Sequence, residues 1–214
     1  MKEEVFTFAL IADQVSSRTG ADAVPAALDA LARVDCVLPF ERTAGDEVQA
    51  LLARPESVVD AVTRLTRLAG WRVGVGIGTV DSPLPSSTRE ARGPAYVAAR
   101  EAINVARRQP TGFALRLPDR VAGGGYGELG LAAEDAETAV WLLRGTLARR
   151  SREGWELMDL LDSGITGAEA AARLGISRSA VSQRLGASAR EECLRGAALA
   201  ARLLGRVQDL GGRP

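Results

Sequence analysis

The chain has 214 residues, 46% of them apolar and 25% charged, which is enough apolar material for one buried domain or for a domain with a small added module. Its 27 basic and 27 acidic side chains cancel, so charge gives no global sign of a polyanion partner, and no run approaches the roughly 18 consecutive apolar residues of a membrane span. There is no histidine, and Cys36 and Cys193 lie too far apart to give a ligand spacing, which excludes zinc sites and histidine-based catalysis.

Residues 5 to 12, VFTFALIA, read as a buried strand ending at Asp13. The opening MKEEVFTFALIAD is acidic where a secretion signal is basic, so a cytoplasmic chain with no membrane partner is expected. A helix follows with Val24, Ala27, Leu28, Leu31 and Val34 at helical spacing. CVLPFERT and EVQALLA then read as strands joined by AGD, and Pro39 argues that the first lies at a sheet edge. Pro55 opens the next helix, Val59, Val62, Leu65 and Leu68 form its stripe, and Gly70 offers its stop.

In WRVGVGIGTV, residues 71 to 80, Val73, Val75 and Ile77 point one way while Gly74, Gly76 and Gly78 leave the other face bare. That face is open to close approach by a ligand or a second subunit. After the polar loop DSPLPSSTREARG, a helix places Ala95, Ala98, Ala99, Ala102 and Ala106 on one face, with Tyr96, Arg100 and Asn104 beside it. GFALRLP reads as a short strand, and the glycine-rich stretch 122 to 130, with GYGELG inside it, reads as a loop. This order predicts an α+β sandwich with its helices on one face of a mainly antiparallel sheet. From about residue 131 every periodic segment is helical. The expected organisation is therefore a ligand-binding unit over 1–120, a linker and connecting helix over 121–150, and an all-α unit over 151–214.

Within the last unit, TGAEAAARLGISRSAVSQRL, residues 166 to 185, has the pattern of a helix-turn-helix. Thr166 and Glu169 make a capping box, Gly175 suits the turn, and Ser177 caps a second helix. Val181 and Leu185 should pack inward beside Ala171 and Ile176. The outward set, Arg178, Ser179, Ser182 and Gln183, suits base edges in a major groove, Arg184 suits phosphate, and Ser177 at the helix start belongs to the same expected DNA-binding surface. Residues 173 to 206 hold seven arginines against Glu191 and Glu192 alone, a local basic charge that fits double-stranded DNA as partner. The last helix carries Leu199, Leu203, Val207 and Leu210 on a stripe that either pairs two subunits or covers the module's own core. A homodimer is expected, because two half-sites give useful specificity.

In the first unit, Asp13 ends a strand and Gly45, Asp46 and Glu47 sit at a hairpin. If the two strands are neighbours, Asp13 and Asp46 converge and need a cation, for which Mg2+ with substrate phosphates is suited. The loop of Gln14, Val15, Ser16, Ser17 and Arg18 offers backbone N–H groups to phosphate oxygens. Gly-Asp is also a strong hairpin-turn pair in its own right, and both readings stand at this point.

FALIADQVSSR, TAGDEVQAL, RVGVGIGTV and GPAYVAAREAI, in this order and followed by the helix-turn-helix pattern, resemble the SatD family over nearly the whole chain. More distantly, residues up to about 117 resemble the palm-like domain of class III nucleotidyl cyclases and GGDEF diguanylate cyclases. The resemblance implies a ferredoxin-like, palm-type sandwich with Asp13 and Asp46 as metal-binding acids. It further implies Glu47 as an additional acid, a polyphosphate at the loop after Asp13, and Arg100 near the phosphates. Tyr96 stands one turn before Arg100, where class III cyclases place an asparagine that assists ring closure, and Ala44 stands in place of the first glycine of the GGDEF signature.

Losing one such donor commonly costs about 3 to 4 kcal/mol of transition-state stabilisation. The expected function is thus a transcription regulator whose degenerate cyclase-like domain, with no catalytic residues, senses ATP, GTP or a cyclic nucleotide signal. Two alternatives are an active Mg-dependent nucleotidyl cyclase or transferase carrying a DNA-binding module, and a repressor whose first domain only dimerises.

Overall fold

The computed structural model describes residues 6–15, 20–118 and 127–212. Among them, strands β1 (Thr7–Gln14), β2 (Leu38–Ala44), β3 (Glu47–Leu52), β4 (Trp71–Gly78) and β5 (Phe113–Arg116) form one mixed sheet in the order β2-β3-β1-β4-β5. Neighbours pair antiparallel except β4 with β5. Pro39 lies in the edge strand β2, where its missing N–H leaves no gap in a central ladder.

β1 shows a continuous apolar run because both of its faces are covered. Phe8, Leu10 and Ala12 enter the larger core, and Ala9 and Ile11 a smaller one on the reverse face. The larger core receives α1 (Val24–Leu31), α2 (Pro55–Leu68), α4 (Glu128–Leu147) and α8 (Arg190–Gly211). The smaller is closed by α3 (Pro94–Ala106) alone among the described helices. The helices therefore do not share one face, as the element order suggests; α3 crosses to the other side.

β4 explains why. A Cβ on Gly74 would lie 2.2 Å from the Ile103 backbone nitrogen, and one on Gly76 would lie 2.1 Å from the Ala95 carbonyl oxygen. The bare glycine face is occupied neither by a ligand nor by a second subunit but by the alanine face of α3, backbone against backbone.

Two further expectations are revised. Gly127 is the N-cap of α4, so the last part of GYGELG, residues 128–130, is the first helical turn rather than loop, while residues 125 and 126 lie outside the described set. On α8 the buried stripe is Cys193, Ala200, Leu204 and Val207; of the expected stripe only Val207 is fully buried, and Leu199 is exposed. The stripe turns because α8 lies on α4 and the sheet unit. Its far end meets Phe6, and Gln208 Nε2 donates to the Phe6 carbonyl at 2.6 Å and to the Ala53 carbonyl at 2.8 Å.

α4 is fastened to the open edge of β5. Trp141 Nε1 donates to the Phe113 carbonyl at 2.9 Å, and the Leu115 N–H donates to Glu137 Oε1 at 2.8 Å. These bonds use edge groups that would otherwise template another strand. Deeper in, Arg144 donates to the Gly112 carbonyl at 2.7 Å and to the Trp71 carbonyl, and burial pushes its pKa down to about 10.

Between α4 and α8 the chain makes a three-helix excursion: α5 (Arg152–Asp162), α6 (Gly167–Leu174) and α7 (Arg178–Ala187). It has its own small core of Leu157, Met158, Ala170, Ala171 and Val181, with Ile176 and Leu185 packed against it. At the seam Trp155 is within cation–π distance of two guanidinium groups, Arg150 at 4.4 Å and Arg67 at 5.2 Å from its ring centre. Arg67, on α2, also makes two 2.6 Å hydrogen bonds to the Asp159 carboxylate on α5.

Candidate functional site

The acids meet at the end of the β1–β3 pair. Asp13 stands opposite Glu47 in register, and the Gln14 N–H donates to the Asp46 carbonyl at 3.0 Å. Gly45 makes the hairpin turn with φ of +42°, a left-handed value that suits glycine. Asp13 and Glu47 are 4% and 5% exposed, so both are carboxyl groups held almost out of water. Asp46 is half-buried, and its charge is close enough to raise the Asp13 pKa.

α3 answers both buried acids. Arg107 Nε donates to Asp13 Oδ2 at 2.7 Å, and Arg100 grips both Glu47 oxygens, with Nη2 to Oε1 at 2.8 Å. Thr43 adds a 2.7 Å hydroxyl donation to Glu47 Oε1. Asp13 Oδ1, by contrast, is buried with no hydrogen-bond partner among the described residues. Burial is the largest influence on Asp13 and pushes its pKa up; Arg107, then Arg72, oppose it.

The sequence reading did not single out Arg107 or Arg72. Both carry a recoverable signal: Arg107 follows Arg100 by two helical turns, and Arg72 precedes Gly74 by two residues on the same strand face.

The loop after Asp13 is partly committed to its own structure. Gln14 donates from Nε2 to the Ala21 carbonyl at 2.7 Å and accepts from the Ala23 N–H at 3.0 Å, bracing the entry to α1. The Val15 N–H donates to the Gly70 carbonyl at 2.7 Å. Neither the Gln14 nor the Val15 backbone N–H is thus left over for a phosphate. Ser16, Ser17 and Arg18 lie outside the described residues.

Tyr96 and Trp71, whose rings have the shape to stack on a base, are 8% and 3% exposed and sit in the two cores. The Tyr96 hydroxyl lies 3.2 Å from Thr88 Oγ1, and Gln49 Nε2 donates to the Thr88 carbonyl at 2.7 Å. Tyr96 therefore belongs to a closed polar network. Phe40 is half-buried against the larger core.

Among the described residues no group of three or more histidine, cysteine, aspartate or glutamate side chains is placed to hold a metal ion. Glu47 is engaged by Arg100 and Asp13 Oδ2 by Arg107, so the acids at this rim are largely committed within the chain. Such a set is short for an all-protein cation site and suited to Mg2+ only where phosphate and water oxygens complete the shell.

The second cluster lies on α6 and α7. Thr166 Oγ1 accepts from the Glu169 N–H at 3.3 Å, and Glu169 Oε2 accepts from the Thr166 N–H at 2.7 Å, the reciprocal capping box the sequence predicts. Gly175 ends α6 in the left-handed region, φ 64° and ψ 32°. Ser177 Oγ accepts from the Ala180 N–H at 3.1 Å and starts α7. Ser177, Arg178, Ser179, Ser182 and Gln183 are all exposed, and Arg184 is half-buried. Compared with known protein families and with curated proteins, the chain matches no family model and no curated protein.

Proposed function

We propose that this chain is a DNA-binding transcription regulator whose sheet unit senses a nucleotide. The observation that carries the reading is the α6–α7 pair. A reciprocally capped helix, a left-handed glycine turn and a serine-capped second helix present Arg178, Ser179, Ser182 and Gln183 together on one exposed surface. Arginine and glutamine are the side chains that make bidentate contacts to guanine and adenine edges, and a helix-turn-helix delivers such residues into the major groove. Arg173 and Arg184 would supply phosphate contacts, and a symmetric homodimer would present two such helices to a two-fold operator.

For the sheet unit, the strand order β2-β3-β1-β4 with antiparallel neighbours supports a ferredoxin-like, palm-type arrangement extended by β5. The resemblance to the SatD family and, at a distance, to nucleotidyl cyclases rests on the sequence segments alone. The polyphosphate of ATP, GTP or a related signal would lie over the half-exposed guanidinium groups of Arg100 and Arg107, which the buried acids behind them hold in place. Asp13 and Asp46 would hold Mg2+, which would offset the negative charge of acids and phosphates.

Catalysis is not part of the reading. Tyr96, in the place of the cyclases' asparagine, is buried and bonded to Thr88, so its hydroxyl is not turned to a ligand. Binding survives such a loss, whereas efficient ring closure does not. Regulation requires that nucleotide bind one arrangement of the chain better than another.

Two measurements test the two halves. Selection of DNA from a random pool should return a two-fold sequence bound with steep salt dependence; recovery of no preferred sequence overturns the DNA reading. Thermal unfolding with ATP or GTP plus Mg2+ should shift upward for the native chain and not for Asp46→Ala. No shift with either nucleotide removes the sensor and leaves the first domain as a scaffold.

A further inference from the structure

The seam between the two cores holds a cavity of about 150 Å3, separate from the acid rim and from the α7 face. Leu143 and Leu147 of α4 supply one wall from the sheet core, and Met158 of α5 supplies another from the three-helix core. Trp155 gives a half-buried aromatic wall, backed by the Arg150 guanidinium. A space of about this size with mainly apolar walls has room for a benzene-sized body.

The polar part of the lining is unequal in charge. Arg150 and Arg190 face the cavity against one acid, Asp162. Arg190 Nη2 donates to Asp162 Oδ1 at 3.0 Å, but its Nε is buried with no hydrogen-bond partner among the described residues. Arg150 gives Nε and Nη2 to the Ser188 carbonyl, at 3.0 and 2.8 Å. The site thus pairs an apolar body-sized space with a net positive charge. The Arg190 side chain is 37% exposed, so the outer part of its guanidinium can be reached by an accepting carboxylate oxygen.

We propose that this cavity is a binding site for a small monocarboxylate with an apolar, ring-sized body, its carboxylate accepting from the Arg190 guanidinium and its body lying against Trp155, Leu147 and Met158. Because its walls come from α4 and α8 on one side and α5 on the other, the ligand bridges the sheet unit and the three-helix excursion. The proposal stands independently of the nucleotide and DNA readings, since neither the acid rim nor the α7 face contributes to the cavity.

The test is titration calorimetry on the full chain with benzoate as probe and benzyl alcohol as its uncharged counterpart. Benzoate should bind saturably, one per chain, and benzyl alcohol about tenfold or more weakly. Arg190→Gln, which keeps a neutral N–H donor but removes the guanidinium, should weaken benzoate by about tenfold or more. Leu194→Trp provides a second arm: Leu194 lines the cavity yet is 50% exposed, so a larger side chain there can fill the space without entering a sealed core. It too should remove benzoate binding. No saturable benzoate binding to the native chain overturns the site, as does benzoate binding that Leu194→Trp leaves unchanged. Equal binding of benzoate and benzyl alcohol overturns the carboxylate assignment.

Discussion

Asp13 and Glu47 stand directly opposite one another across the β1–β3 pair, Glu47 held by Arg100 of α3 and Asp13 by Arg107, the C-cap of that helix. The two pairs are one-sided: the carboxylates are nearly sealed from water, whereas Arg107 and Arg100 keep 45% and 50% of their side-chain surface exposed. Removing an acid releases an arginine that water can solvate; removing an arginine strands a buried charge.

Arg107→Ala should therefore destabilise the fold by about 1–3 kcal/mol, while Asp13→Asn should change it by less than about 1 kcal/mol. The pH dependence fixes the sign. Because burial raises the Asp13 pKa, the native chain holds this proton more tightly than the unfolded chain does. The contribution of Asp13 to stability consequently falls as pH rises from the ordinary value of 3.8 through the raised native value. Urea unfolding across that window should show Asp13→Asn gaining on the native chain as pH rises, and Arg107→Ala losing ground over a wider range. Asp13→Asn losing ground to the native chain as pH rises would contradict the burial argument.

Gly76 has no such freedom. A Cβ there meets the Ala95 carbonyl oxygen at 2.1 Å and the Ala99 nitrogen at 2.2 Å, both backbone atoms that cannot rotate away. Gly76→Ala should cost about 3 kcal/mol or more, the upper end of overpacking effects, because α3 must lift from the sheet. Gly186→Ala, with nothing within 4 Å of the added carbon and a helical position, is the control and should stabilise by about 0.5–1 kcal/mol. Chemical denaturation of the two variants separates a packing effect from a general intolerance of alanine. Nucleotide response should also fail in Gly76→Ala, since Arg100 and Arg107 ride on the displaced helix.

The local features were legible in the sequence because their causes are local. Thr166, Glu169, Gly175 and Ser177 act within one or two turns, so spacing alone predicts the caps and the turn that the structure has. The convergence of Asp13 and Asp46 followed from treating two strands as neighbours. What escaped was the result of packing between remote segments. Alternating glycines in β4 declare that something approaches closely, but they do not say that the visitor is α3, and so they do not say which sheet face α3 covers. The α8 stripe failed for a related reason: Cys193, Ala200, Leu204 and Val207 form as good a helical face as the leucine series, and only the shape of α4 and the sheet selects between them. Arg107 was legible by helical spacing from Arg100, yet its role depends on how deeply Asp13 is buried, which a sequence does not display.

Trp155 ties the excursion to the sheet unit through contacts that replacement by alanine removes together. The ring is within cation–π distance of both Arg67 and Arg150 and packs against the larger core. Exposed cation–π pairs contribute about 0.5–1 kcal/mol each, and loss of the buried ring area adds a comparable amount. Trp155→Ala should loosen α5 to α7 locally while leaving the sheet intact. Hydrogen exchange should then quicken by about tenfold or more in the three-helix core and change little in β1, β3 and β4. Asp159→Ala, which removes only the exposed partner of Arg67, should cost less than about 1 kcal/mol. Equal acceleration throughout the chain would mean that the two cores unfold as one cooperative unit.

On α7 the exposed residues divide by what each would touch. Arg178 and Gln183 are exposed and of the types that make bidentate contacts to base edges, whereas half-buried Arg184 would meet the phosphate backbone. Arg178→Ala and Gln183→Ala should each cost about 1–3 kcal/mol on the selected DNA sequence and relax preference at one base position. Arg184→Ala should weaken binding to all sequences alike and reduce the slope of log affinity against log salt by about 1. Ser177→Ala tests the helix start itself: it removes the acceptor for the Ala180 N–H, should cost about 1 kcal/mol of stability, and should weaken DNA binding without altering sequence preference. Competition binding at several salt concentrations, with the selected sequence and with a scrambled one, measures all four. Uniform losses from Arg178→Ala and Gln183→Ala on both DNAs would show that α7 grips the backbone and reads no bases.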